Sequence, residues 1–156
     1  MSIRFQNILV PTDFSELSKP AIGYATGLAD AFGAQLHCLH VVDDAYQYWS
    51  ALGPESLPVG PPPEEMIELS RKRLIKFGSE QFGGSRCVVS HVAYGRPFAE
   101  IIAYARDNHI DLIVMATHGR GAIAHVLLGS TVEKVVRKSP CAVLTIRSSK
   151  EPFVMP

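Results

Sequence analysis

The length, composition and charge of this chain argue against several classes of protein. Its 156 residues suit one domain with its own hydrophobic core. Because 15 basic residues balance 15 acidic ones, we expect no electrostatic attraction to nucleic acid or to a membrane surface. No long apolar run precedes Pro11, so we expect neither a signal peptide nor a membrane anchor, and a cytoplasmic location.

Short apolar runs alternate with amphipathic segments along the chain. The runs predict five strands, several of them apolar on both faces, as in a parallel sheet that helices cover on both sides. The strands are predicted at residues 7–10, 35–42, 86–93, 112–115 and 142–146. This order of strands and helices predicts an α/β fold, a doubly wound sheet of five parallel strands with right-handed crossovers.

Four amphipathic segments between the strands predict helices, because their apolar residues recur three or four positions apart. Pro20 places the start of the first helix near Ser18 or loosens its first turn, and Gly33 ends it. The second helix is predicted at residues 64–82, the third starts at Pro97, and the fourth ends before Pro140. The residues predicted to face inward are Ala21, Tyr24, Ala25, Leu28, Ala29 and Phe32, then Ile67, Leu74 and Phe77, then Phe98, Ile101, Ile102 and Ala105, then Val132, Val135 and Val136.

The three cysteines are odd in number and widely spaced. Cys38, Cys87 and Cys141 lie in apolar, strand-like runs. We expect reduced thiols that serve as small core residues rather than a disulfide framework.

Ligands of doubly wound sheets bind beyond the carboxyl ends of the strands, where the winding reverses. Two loops are therefore candidates: PTDFS after the first strand and THGRGAIAHVLLGST after the fourth. In the second loop, Gly119 and Gly129 allow backbone N–H groups to approach a ligand closely. Ser130 and Thr131 then open a helix, whose N-terminus favours phosphate. The alternative is that Ser130 or Thr131 is an ordinary N-cap and the glycines only turn the chain.

Two other phosphate signatures do not apply. The sequence contains no G-x-x-x-x-G-K-[ST], so a Walker-type NTPase is not supported. Gly119-x-Gly121-x-x-Ala124 matches a permissive dinucleotide fingerprint, but it follows the fourth strand and lacks the acidic residue that should come after it.

The loop after the first strand offers oxygen ligands. Pro11, Thr12 and Asp13 stand at the end of that strand. Asp13 is suited to accept hydrogen bonds from ribose hydroxyls or to hold a phosphate-bound magnesium ion. Alternatively, Asp13-x-x-Glu16 is a capping box, and Asp13 only starts the first helix.

The histidines give little indication of chemistry. We expect His37, His40 and His91 to be packed core or edge residues, because no cysteine or carboxylate completes a metal site with them. His118 and Arg120 lie in the candidate phosphate loop, where Arg120 either pairs with phosphate or is solvated.

With both loops considered, the chain resembles the universal stress protein family over residues 5–147. The similarity lies in ILVPTDFSELSKPAIGYA, LHVVDD and DLIVMATHGRGAIAHVLLGSTVEKVVRKSPCAVLTI. Of the family's ATP-binding pattern G-x2-G-x9-G-[ST], Gly119, Gly129 and Ser130 match in spacing, while Ala116 replaces the first glycine. The resemblance implies a Rossmann-like sheet of the adenine nucleotide alpha hydrolase type with strand order 3-2-1-4-5.

The resemblance also implies a ligand, a site and an assembly. The ligand is ATP with magnesium, and the family implies a homodimer paired through the last strand, residues 141–147, whose edge is otherwise open. The implied adenosine residues are Pro11, Thr12, Asp13, Val41, Met115 and Ala116, and the implied phosphate contacts are the backbone groups of Gly119, Arg120, Gly129, Ser130 and Thr131. We add His118 to the site because its loop should face the phosphates.

Residues 43–63 form a long proline-rich connection, and residues 148–156 a short tail. Tyr46, Tyr48 and Trp49 either form a lid or partner contact, or belong to an insertion packed on the nearest helix.

Three functions remain open: an ATP-binding regulatory module in a stress response with an unknown partner, a nucleotide-independent dimeric scaffold, and a slow phosphohydrolase. Hydrolysis needs a positioned base and a charge clamp. Asp13 is placed to hold the sugar or a metal ion, and only His118 is a candidate for orienting the attacking water, so we favour binding.

Overall fold

The computed structural model describes residues 3–45, 60–83, 87–117 and 129–147. Within these ranges, strands and α-helices alternate along the chain. A short 3-10 helix, Glu16–Ser18, precedes the first α-helix. The elements are β1 (Asn7–Pro11), α1 (Lys19–Phe32), β2 (Gln35–Asp43), α2 (Pro63–Gln81), β3 (Val88–Gly95), α3 (Pro97–Asp107), β4 (Leu112–Ala116), α4 (Ser130–Lys138) and β5 (Ala142–Ile146).

The five strands form one parallel sheet in the order β3-β2-β1-β4-β5. β1 is central and pairs on one side with β2, from Asn7↔Gln35 onwards, and on the other with β4, through Ile8↔Leu112. The chain adds strands outward from β1 as far as β3 and then crosses to β4. This topology confirms the predicted doubly wound sheet and its strand order, and it places the switch point between β1 and β4.

Helices cover both faces of the sheet. α1 and α2 pack with alternate strand residues such as Val10, Cys38 and Val114 on one face. α3 and α4 pack with Leu9, Ile113 and their neighbours on the other face. Both sides of β1 and β4 are therefore buried, which explains why these strands are continuous apolar runs in the sequence.

The predicted helix boundaries agree closely with the structure. α1 has Ser18 as its N-cap and Pro20 in its first turn, and Gly33 ends it in the left-handed conformation with φ 65°. The predicted second helix begins one residue earlier than expected, at Pro63, and ends at Gln81. β1 and β4 each extend one residue further than predicted, to Pro11 and Ala116.

Some residues that we predicted to face inward are exposed. Tyr24 is 58% exposed and Val136 is 47% exposed, whereas Ile22 is buried. The inward stripe of α1 is made of Ala21, Ile22, Ala25 and Ala29, which turns Tyr24 towards the flank of the helix. Phe32, at the last turn, remains 41% exposed and packs edge to face on Phe5, with the ring centroids 5.0 Å apart.

The prediction that the cysteines are core residues is right for one of them. All three are free thiols, but Cys87 is exposed just before β3 and Cys141 is half-buried just before β5. Cys38 lies inside the sheet, where burial raises the pKa of its thiol to about 12. Cys38 is therefore a protonated, unreactive core residue at neutral pH.

His37 is a packed core histidine, as expected. It lies on β2, its Nδ1 is 3.0 Å from the hydroxyl of Tyr104 on α3, and its Nε2 is buried without a hydrogen-bond partner among the described residues. Burial lowers the pKa of His37 below its ordinary value of 6.5. The neutral form is the one that the fold accommodates.

We expect His37 to make the protein less stable in mild acid. Because its pKa is lower in the folded state, the unfolded chain takes up a proton first as the pH falls below 6.5, so the free energy of unfolding decreases there. Urea unfolding of the wild type and of His37→Gln, measured between neutral pH and the folded-state pKa of His37, checks this. The variant should show a shallower loss of stability, and parallel pH profiles would contradict the assignment.

Candidate functional site

The carboxyl ends of β1 and β4 lie side by side at one edge of the sheet. The two strands pair in parallel through Leu9↔Ile113, so the loop after Pro11 and the residues after Ala116 leave the sheet together. The 3-10 helix Glu16–Ser18 also contacts β4. The loop after Pro11 and the first residue after β4, Thr117, therefore leave the sheet at the switch point.

The backbone after β1 is fixed by Thr12 and its neighbours. The Thr12 N–H donates to the carbonyl of Leu39 at 2.8 Å, and the Nδ1–H of His40 donates to the carbonyl of Thr12 at 2.8 Å. Thr12 itself is buried. The end of β1 is thereby locked to β2 by two hydrogen bonds that do not depend on a ligand.

The hydroxyl of Thr12 organises the turn that follows. Its Oγ1 accepts the Phe14 N–H at 3.0 Å and lies 3.2 Å from the Oγ of Ser18. The Ser18 hydroxyl donates its only hydrogen to the carbonyl of Ser15 at 2.7 Å, so the Thr12 hydroxyl is the donor to Ser18. This chain of hydrogen bonds pre-organises the turn.

Asp13 does not start the first helix, so the capping-box alternative is wrong. α1 begins at Lys19 with Ser18 as its N-cap, well beyond the reach of Asp13. Instead, the Asp13 carboxylate accepts the Ser15 N–H at 2.9 Å. This Asx-type turn holds a half-exposed carboxylate at the carboxyl end of β1.

Sequence reasoning missed an aromatic stack on the same turn. Phe14 has φ 64°, a backbone conformation that bulky residues rarely adopt. The centroid of its ring lies 4.2 Å from that of His40 and 5.4 Å from that of Phe77. The guanidinium carbon of Arg73 lies 4.4 Å from the same Phe14 centroid. These contacts offset the backbone strain, and no local pattern in the sequence indicates them.

The N-terminus of α4 lies at the end of β4. The Thr117 N–H donates to the carbonyl of Ile146, and the Gly129 N–H donates to the carbonyl of Thr117 at 2.8 Å. Gly129, with φ −64° and ψ 149°, is the N-cap of α4. The alternative that Ser130 or Thr131 is the N-cap is therefore wrong, because both residues already lie inside the helix.

The first turn of α4 carries hydrogen-bond donors. The first intrahelical bond runs from the Glu133 N–H to the carbonyl of Gly129 at 3.0 Å. By helix geometry, the N–H groups of Ser130, Thr131 and Val132 precede it and have no partner within the helix. They carry the positive end of the helix dipole, which favours an anion.

Apolar residues near this edge pack on opposite faces of the sheet; they are Met115, Ala116 and Val41. Ala116 is buried in the cluster covered by α1, whereas Met115 is buried in the cluster covered by α3 and α4. Val41, near the end of β2, is half-buried against that second cluster. The methyl group that replaces the first glycine of the family pattern therefore packs within the protein core.

Three predicted site residues, His118, Gly119 and Arg120, lie outside the described residues, as do Tyr46, Tyr48 and Trp49.

Among the residues that the structure describes, no group of three or more histidine, cysteine and acidic side chains is arranged to hold a metal ion. In the same ranges, we find no helix that is both long and apolar enough to cross a membrane.

The fold and this edge define a doubly wound α/β protein with helix N-terminal N–H donors and a carboxylate at its switch point. A model of the universal stress protein family matches residues 4–147. The universal stress protein MJ0531 of Methanocaldococcus jannaschii is 31% identical over 148 residues, which cover 94% of this chain and 85% of that protein. The chain belongs to the universal stress protein family.

Solved structures agree with the fold. The structure of MJ0577, a universal stress protein of the same archaeon, superposes with a TM-score of 0.78 at 25% identity and covers 96% of this chain and 100% of its own. A universal stress protein solved in complex with cAMP superposes with a TM-score of 0.64 at 24% identity, covering 94% of this chain and 100% of its own.

Proposed function

We propose that this protein binds ATP, together with Mg²⁺, in a regulatory role within a stress response. One observation carries the proposal: the hydrogen bond from Gly129 to Thr117 brings the donors of α4 to the edge where Asp13 presents its carboxylate. Donors for phosphate and an acceptor for ribose or a metal ion then flank one switch point.

The proposed contacts follow from the chemistry of each group. Asp13 accepts from the ribose hydroxyls or binds the magnesium ion, which prefers oxygen ligands. The N–H groups of Ser130 and Thr131 bind the phosphates, together with His118, Gly119 and Arg120. The remaining proposed contacts, to the nucleoside, come from Pro11, Thr12, Val41, Met115 and Ala116.

Two observations support a nucleotide as the ligand. The universal stress protein in complex with cAMP shows that a member of this family holds an adenine nucleotide. In this chain, the Ala116 methyl packs in the α1-side cluster, which supports tolerance of alanine at the first position of the glycine pattern.

We further propose that the protein acts in the cytoplasm as a homodimer paired through β5. β5 is an edge of the sheet, because it pairs with β4 alone among the described strands. Unpaired backbone groups at such an edge favour pairing with a second copy. Bound nucleotide would regulate a partner by favouring one arrangement of the site over another.

Calorimetric titration of the dimer with MgATP and with AMP tests nucleotide binding. We expect one ATP per chain, with AMP weaker because it lacks the β- and γ-phosphates that the α4 donors would bind. MgATP should also raise the melting temperature, since a ligand that binds only the native state stabilises it. Absence of heat and an unchanged melting temperature at millimolar MgATP would refute the proposal and favour a nucleotide-independent scaffold.

Ala116→Gly is the matched variant for this titration. It restores the first glycine of the family pattern, and the core position of Ala116 predicts an ATP affinity within about threefold of the wild type, or below 1 kcal/mol. A much larger gain in affinity would show that the Ala116 methyl obstructs the nucleotide. Multiple turnovers of ATP that are lost in Asp13→Asn would instead indicate a phosphohydrolase.

A further inference from the structure

The second edge of the sheet, β3, is long and regular and has no charged side chain. It pairs with β2 over eight consecutive residues, from Leu36↔Val88 to Asp43↔Gly95. No lysine, acidic residue, proline or bulge interrupts it, although these are the features by which proteins usually protect an edge. Val89, Ser90 and His91 are exposed.

A groove of about 360 Å³ runs along this edge between β3 and α3. Its floor includes Val89, His91 and Ala93, which alternate along β3 and so lie on one face of the sheet. Its wall is one face of α3, made of Glu100, Ala103, Tyr104 and Asp107 at helical spacing. The rings of His91 and Tyr104 lie 5.3 Å apart and line the middle.

The two ends of the groove are acidic. Glu100 lies at the carboxyl end of β3, because a side chain at Gly95 would meet its Oε1 at 2.8 Å. Asp107 lies two helical turns later, about 10 Å further along α3. Arg106 pairs with Asp107 at 3.0 Å, but both side chains are exposed, and such a pair exchanges readily with other cations.

We propose that this groove, defined by β3 and the outer face of α3, binds an extended segment of another protein that carries basic side chains. The segment adds as a strand to β3, so the outward-facing backbone groups of β3 give affinity. Alternate side chains of the segment then enter the groove, where lysine or arginine meets Glu100 and Asp107 while an apolar residue packs on Tyr104.

A second copy of this chain fits the groove poorly. β3 has no lysine or arginine between Val88 and Gly95, so pairing β3 with β3 would bring two acidic grooves together without any compensating charge from the strands. Charge complementarity therefore favours a basic partner segment over self-association through this edge.

The probe is the blocked peptide Thr-Lys-Thr-Val-Thr-Lys-Thr. In a strand, its two lysines project to one side and lie about 13 Å apart. Their flexible side chains can reach the carboxylates of Glu100 and Asp107 from these positions. Fluorescence anisotropy of the labelled peptide against the full-length protein should show saturable, submillimolar binding. A peptide with glutamate in place of both lysines should not bind.

Two sets of variants test the groove. Glu100→Gln combined with Asp107→Asn should weaken peptide binding about tenfold, as expected for the loss of two exposed ion pairs. Ala103→Arg should weaken it further by filling the groove with a cation. Glu68→Gln with Glu80→Gln, which removes two charges from α2 on the other face of the sheet, should leave the affinity unchanged.

Amide hydrogen exchange in the presence of the peptide distinguishes two modes of binding: the peptide adds as a strand to β3, or only its cationic side chains bind in the groove. We expect new protection of outward-facing amides within residues 88–95, with or without ATP, so this result does not depend on the nucleotide proposal. Absence of binding, equal binding by the glutamate peptide, or binding without protection of β3 would each overturn the proposal. Competition by spermidine together with absent protection would assign the groove to small organic cations.

Discussion

Replacing Gly129 with aspartate should abolish tight MgATP binding while preserving the fold. Gly129 has φ −64° and ψ 149°, which any residue adopts without strain, and aspartate is a favoured N-cap. Its carboxylate would accept the N–H groups at the start of α4 and repel the phosphates. At about 4 Å, two unit charges near a protein surface interact by roughly 4 kcal/mol, so we expect at least a hundredfold loss of affinity.

The matched variant is Gly129→Asn, which has nearly the same size and caps the helix without a charge. It should weaken MgATP binding much less than aspartate does. Melting temperatures of both variants should equal or exceed that of the wild type, since each adds a cap to α4. Retained affinity in Gly129→Asp would show that phosphate does not bind at the N-terminus of α4.

The largest loss of stability is expected for Ile113→Ala. Ile113 is fully buried in β4, within the cluster that α3 and α4 cover. Deleting most of such a side chain costs about 2–5 kcal/mol, a large part of the roughly 5–15 kcal/mol that stabilises a typical domain. Urea unfolding should show a lower midpoint with an unchanged slope, because the surface exposed on unfolding changes little.

Ile75→Ala is the control for this substitution. Ile75 lies on α2 and is 63% exposed, so the same chemical change should alter the free energy of unfolding by no more than about 0.5 kcal/mol. If Ile113→Ala were as mild as Ile75→Ala, the packing of α3 and α4 on β4 would be less tight than the structure shows.

The sequence predicts the elements well because their signals are local. Pro20 and Gly33 bracket α1, and buried strands such as β4 appear as uninterrupted apolar runs. The face of a helix that points inward is harder to predict. In α1, alanines occupy most of the inward positions, and both Tyr24 and Ile22 lie three or four residues from one of them. Only packing against the sheet decides between the two, and it leaves Tyr24 exposed.

The candidate site is predictable in position but not in detail. The positions of the end of β1 and of Gly129 at the start of α4 follow from the sequence order and the switch-point rule. The capping spacing of Asp13 and Glu16 was misleading, because the intervening 3-10 helix moves the N-cap to Ser18. The stack of Phe14 on His40 and Arg73 joins residues far apart in the chain, and no local pattern encodes it.

The strand order places β3 and β5 at opposite edges of the same sheet. A dimer joined through β5 would therefore carry one β3 groove at each of its two far ends. Such a particle is bivalent: a partner with two basic segments on a linker of suitable length would bind both ends with an avidity well above that of either groove. Dimerisation would then determine which partners are captured, by setting the distance that a linker must span.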